Sequence, residues 1–124
     1  VKSVQDTGGL LVGGSDWDVS SLNPLDAIET AIHRQSPYED DDRVLGEDEE
    51  VDLATALDMY TRNAAYIMRL EEMTGTIEVG KRADLVVLDR NLFEISVNEI
   101  NEARVLMTVM DGNTVYIAED ASAP

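Results

Sequence analysis

The chain has 124 residues, 44% of them hydrophobic, with nine basic against 26 acidic side chains and a formal net charge of −17. Such a length can bury one core, the apolar share excludes wholesale disorder, and so negative a surface repels phosphate backbones and anionic lipid, which argues against nucleic-acid and membrane partners. Cysteine is absent, so there is no disulfide framework or thiolate metal site, and no apolar run approaches the roughly 18–20 residues of a membrane span.

The start of the chain lacks the charged and apolar regions of a signal peptide. A cytoplasmic location is compatible with all of this. High solubility is the plainest reading of the acidity, ahead of a salt-adapted source or an acidic partner surface. Val1-Lys2-Ser3-Val4-Gln5-Asp6 reads as the middle of something, so the chain is expected to be a piece of a longer protein.

In chain order, the first element is Leu10-Leu11-Val12, an apolar run between Gly8-Gly9 and Gly13-Gly14. Continuous apolar character predicts a strand over 10–14, buried on both faces as in a parallel sheet. Asn23-Pro24 is a helix start, with Asn at the N-cap and Pro at the first helical position. Leu25, Ile28, Ala31 and Ile32 then form one apolar stripe, which predicts an amphipathic helix from 24 to about 35.

Residues 39–50, EDDDRVLGEDEE, hold eight carboxylates and one arginine and no periodic apolar face. They read as a solvated loop. Their oxygens do not fall at the alternating positions around a glycine that a calcium loop requires. Asp52 is the N-cap of a second helix, in which Leu53, Leu57, Tyr60, Ala64 and Ile67 recur at helical spacing over 53–68.

A compositional seam falls near 70–76. Beyond it, Leu85-Val86-Val87-Leu88 reads as a strand, and a short helical turn is expected between Ser96 and Glu102, opening at Ser96 or Asn98. Two β-rich runs flank Asp111-Gly112, a hairpin dipeptide. The tail from Asp120 to Pro124 has nothing to anchor it.

Little catalytic machinery is present. The single histidine, His33, lies within the first helix away from its stripe, and a partly covered surface position suits it better than a role as ligand or base. The paired glycines do not make a dinucleotide fingerprint, and no Ser-His-Asp set is available. Asp16 differs because of its place. At the C-terminal end of a buried parallel strand, a carboxylate can bind a metal ion or take a proton from water. The plainer alternative is that Asp16 bonds to N–H groups of its own turn, as Asp commonly does. Trp17 is either packing or a substrate wall.

Several motifs stand in a fixed order: GGSDWDVSSLNPLDAIETAIHR, Ala56-Leu57, Tyr60-Thr61, Asn63-Ala64-Ala65, GTIEVGKRADLVVLD from Gly75 to Asp89, and Val109-Met110-Asp111-Gly112. Together they cover nearly the whole chain and resemble the C-terminal part of the amidohydrolase superfamily, in particular amidohydrolase family 3 with its N-substituted formamide deformylase-like proteins. The resemblance implies an α/β fold. Residues 1–72 would supply the last strand and terminal helices of a TIM (β/α)8 barrel, and residues 73–124 the C-terminal part of a small β-sandwich.

It further implies a metal-dependent hydrolase acting on C–N bonds of an amide, formamide or cyclic amide. Asp16 would be the catalytic residue, as metal ligand or general base, and Trp17 would line the substrate pocket. Asp84 and Asp89 would be structural, and Asn63 and Thr61 would stitch their helix to its neighbours. Asp18 stands where the family usually has proline, which could loosen the turn. The implied cofactor is a divalent metal, zinc being the expected ion, in the full-length enzyme.

The family's histidine ligands cannot lie in this chain, and a catalytic zinc needs about three protein ligands. The fragment alone is therefore expected to be inactive and to hold no metal tightly. Its expected partners are the remainder of its own barrel, a small amide-type substrate and further copies of itself in a homo-oligomer. The competing expectation is a non-enzymatic acidic α/β module that serves protein association.

Overall fold

The computed structural model describes residues 1–36 and 43–120. Expectations for residues 39–42 of the acidic loop and for the tail beyond Asp120 therefore lie outside the described residues. Four α-helices precede a three-stranded antiparallel sheet: α1 (Lys2–Asp6), α2 (Pro24–His33), α3 (Leu53–Tyr60), α4 (Arg62–Ile67), β1 (Leu85–Leu88), β2 (Val105–Met110) and β3 (Asn113–Ile117).

Helix α2 forms for the reasons legible in its first residues. The Asn23 side chain accepts the Leu25 N–H at 3.1 Å, and Pro24 occupies the first turn, where no N–H is needed. Its stripe is buried through Leu25, Ile28 and Ala31. The helix stops at His33, short of the expected 35, because Arg34 turns left-handed at φ 60.

Helix α3 opens on Asp52, whose carboxylate accepts the Thr55 N–H at 2.7 Å. The expected single helix over 53–68 is two helices instead, broken at Thr61 with φ −125 and ψ −100. The Thr61 hydroxyl donates to the Leu57 carbonyl at 2.8 Å, a local bond that competes with straight helix. Gly75 also packs so closely on α4 that a Cβ there would lie 2.6 Å from Ala65 Cβ.

The expected buried strand over 10–14 is likewise corrected. No sheet partner flanks this segment among the described residues, and its backbone bonds go to helices. The Gly13 N–H donates to the Met59 carbonyl at 3.0 Å, and the Asn63 amide donates to the Leu11 carbonyl at 3.0 Å. The segment remains alternating, with Leu11 and Gly13 towards the helices and Leu10 and Val12 exposed. A strand exists only through its ladder, and among the described residues no neighbouring strand supplies one. Gly13 has no room for a side chain, since a Cβ there would lie 2.3 Å from the Tyr60 ring.

The β unit is as expected. β2 and β3 join through Asp111-Gly112, with φ 50 and 78, the two positive values of a type I′ turn. Asp84 braces this turn: its Oδ1 accepts the Asp111 N–H at 2.8 Å and its Oδ2 accepts the Thr74 hydroxyl at 2.8 Å. Asp89 similarly accepts the Arg104 N–H at 3.0 Å. These are structural roles. The expected helical turn after Ser96 is a 3₁₀ turn at Val97–Glu99, with the Glu99 carboxylate reaching back to the Ser96 N–H at 3.0 Å.

One buried cluster joins Leu25, Ile28 and Ala31 of α2, Val51, and Ala56 of α3 to Leu92, Ile100 and Ala103. It draws on residues from both sides of position 72.

Candidate functional site

Asp16 lies where the extended segment gives way to α2. The Asp16 carbonyl accepts the Val19 N–H at 2.8 Å, closing a turn, and the Ser20 hydroxyl donates to the Ser15 carbonyl at 2.6 Å. The turn is thus held by backbone and serine groups. Among the described residues the Asp16 carboxylate has no hydrogen bond of its own, so it does not cap the turn that contains it.

Asp16 also adopts φ 49, a left-handed conformation that Asp tolerates better than most residues and that clusters at functional positions. Trp17 beside it is 64% exposed and is not core packing. Neither residue lines the two shallow grooves that run along α2.

The approach to this turn is fixed from behind. Gly13 and Leu11 are bonded to Met59 and Asn63, and Leu11 and Tyr60 pack on the core cluster. Burial pushes the Tyr60 phenol above its ordinary pKa. From the other side, α2 carries the turn on its capped N-terminus.

No group of three or more His, Cys, Asp and Glu side chains that could hold an ion occurs among the described residues. Asp16 and Asp18 are exposed carboxylates two positions apart, too few for a closed site. His33 is unavailable, because both its ring nitrogens are engaged: Nε2 lies 3.3 Å from Glu29 Oε1, and Nδ1 accepts the Gln35 N–H at 3.1 Å.

Glu29 is a residue that the sequence reading missed. It is the buried charged residue of the described chain at 4% exposure, and its Oε2 accepts the Asn101 N–H at 2.9 Å. The available signal was its spacing of four from His33, next to the buried Ile28.

The sequence profile of the amidohydrolase family matches residues 1–116. The chain is 34% identical over 120 residues to the N-substituted formamide deformylase of Arthrobacter pascens, covering 94% of this chain and 21% of that protein. It is 32% identical over 103 residues to a 5-methylthioadenosine/S-adenosylhomocysteine deaminase of Halalkalibacterium halodurans, covering 80% of this chain and 22% of the relative. The chain thus spans about a fifth of the length of these curated relatives. Among solved structures, an amidohydrolase from Thermotoga maritima superposes with a TM-score of 0.71 at 24% identity, covering 94% of this chain and 25% of that one. That likeness concerns the fold alone.

Proposed function

The chain belongs to the amidohydrolase family, and from that premise we propose that it forms the C-terminal segment of a larger hydrolase that cleaves a C–N bond. The substrate class is a small amide, formamide or cyclic amide. Support comes from hydrolytic relatives named for deformylation and deamination and from the small share of their length that this chain spans. Exposed apolar residues such as Ile77 and Val79 suit a piece whose surface is covered by more protein.

On this reading residues 1–72 complete a (β/α)8 barrel and residues 73–124 contribute to a β-sandwich. The Leu10–Gly14 segment takes its strand partners from the remainder of the barrel. The observation that carries the role of Asp16 is its free carboxylate: the turn is closed without it, and it projects from a strained, left-handed position.

Asp16 acts as the base. It accepts a proton from water as the water oxygen bonds to the carbonyl carbon, then passes that proton to the leaving nitrogen as the C–N bond breaks. Trp17 provides a wall of the substrate pocket. The family's divalent metal, with zinc the expected ion, does not fit the described residues of this chain, because they hold no group of three or more His, Cys, Asp and Glu side chains that could bind it. No step of the mechanism is therefore assigned to it here, and the isolated segment is inactive on this reading. The intact protein is a cytoplasmic homo-oligomer with no nucleic-acid or membrane partner.

The test is Asp16→Asn in the intact protein, assayed on formamide, open-chain amide and cyclic amide substrates. The expected loss in kcat is about 10²–10⁴-fold, the range for removing a general base. Hydrolysis at near the wild-type rate would overturn the assignment.

A further inference from the structure

We propose that Glu29 is an ionised positioning residue that ties α2, and through it the turn carrying Asp16, to the segment entering β2. One donor beside the Glu29–His33 pair has a polarity that cannot change. The Gln35 backbone N–H points at His33 Nδ1 over 3.1 Å, so Nδ1 is an acceptor and carries no proton. The ring proton of a neutral imidazole is then on Nε2, and at 3.3 Å it is donated to Glu29 Oε1. An imidazolium would set a second N–H against that of Gln35.

The other oxygen of Glu29 faces a second fixed donor, the Asn101 N–H at 2.9 Å, 72 positions away in sequence. Both neighbours of the carboxyl group are therefore donors. A deprotonated carboxylate, accepting at both oxygens, satisfies them best. An amide in its place would turn its NH2 towards one of the two N–H groups.

The position of this pair gives it mechanical reach. Asn101 follows Ile100, which is 2% exposed, and Glu29 follows Ile28, which is 3% exposed. The carboxylate thus pins the packed face of α2 at a point in the shared core. Toward its N-terminus α2 is continuous with the turn at Asp16 through the Asn23 cap and the Ser20–Ser15 bond. A helix that rotates or slides carries that turn with it. The inference rests on the role proposed above for Asp16.

The experiment compares Glu29→Gln, Glu29→Ala and His33→Gln in the intact protein by hydrogen–deuterium exchange at Asn101 and by steady-state kinetics. Glu29→Ala removes both acceptors, whereas Glu29→Gln, close to isosteric, keeps a carbonyl for the Asn101 N–H but loses the charge and one acceptor. Exchange at Asn101 rises by about tenfold or more in Glu29→Ala and by about fivefold in Glu29→Gln, whose neutral carbonyl is the weaker acceptor, and kcat falls by up to about 10²-fold, the effect of a small misplacement. KM stays within about twofold, as for a group that does not bind substrate.

His33→Gln supplies one N–H donor and one carbonyl acceptor in a similar place, and exchange at Asn101 is expected to stay within about threefold of wild type. Should Glu29→Ala fail to fold, the contrast between Glu29→Gln and His33→Gln decides. Wild-type exchange in Glu29→Gln would overturn the assignment of a charged acceptor at Asn101. Lost protection with unchanged kcat would overturn the positioning role. A wild-type protein that hydrolyses none of the substrates would count against the proposed function, while the exchange contrast would still test the carboxylate.

Discussion

Asp16, Asp52 and Glu29 are three carboxylates of one chain in three environments. Asp16 is exposed and unbonded, Asp52 caps a helix, and Glu29 is buried between two donors. For Asp52 the pH consequence can be worked out. The Thr55 N–H and then the Thr55 hydroxyl hold its pKa below the ordinary carboxylate range. A group with a depressed folded pKa contributes stability that is complete above the unfolded value of about 3.9 and is lost as pH falls through the lower folded value. Asn caps about as well as Asp and does not titrate. Urea unfolding of Asp52→Asn should therefore match wild type within a few tenths of a kcal/mol at pH 7, and the variant should gain on wild type once the pH drops below the ordinary carboxylate range. Equal losses in both proteins would contradict the cap assignment. The place of Asp16, just after an apolar run, was legible in the sequence. Its unbonded carboxylate was not, because a turn can be closed by a side chain or a carbonyl, and the choice depends on where Ser15, Val19 and Ser20 lie.

The elements that matched expectation are those whose signals act over a few residues. Asn23-Pro24 starts α2, Asp111-Gly112 makes the hairpin, and Glu99 reaches back to Ser96. Replacing Asn23 with Ala should cost about 1 kcal/mol, the usual worth of an N-cap, read as a lower Tm with no change in the circular-dichroism signal of the folded state. A change well below that would mean that α2 is held by its buried face alone. The elements that departed from expectation depend on distant groups. The apolar spacing of 53–68 continues straight through Thr61, yet the helix breaks there because a side-chain bond to Leu57 and the close approach of Gly75 bend it. Residues 10–14 have strand composition and an extended, alternating backbone, but pair with Met59 and Asn63 in place of neighbouring strands.

At the scale of the molecule, a single cluster couples the helices to the segment before β2, with Ile100 among its most buried residues at 2% exposure. Ile100→Ala should cost about 2–5 kcal/mol through lost burial and the cavity left behind. The helical signal and the exchange protection of residues 92–103 should be lost together, since one core serves both. Separate transitions would show that the two parts fold independently. The sequence by itself determined the family, through motifs kept in order along most of the chain, together with the caps, the hairpin turn, the apolar stripe of α2 and the excess of negative charge. Each of these depends on residue identity or on neighbours within one turn of chain. Tertiary structure alone decided that Asn63 holds Leu11 across 52 positions and that Glu29 meets Asn101 across 72. The physical reason is that a buried backbone or carboxylate group must find a hydrogen-bond partner once water is excluded. Only the packed chain determines which distant group stands close enough to be that partner.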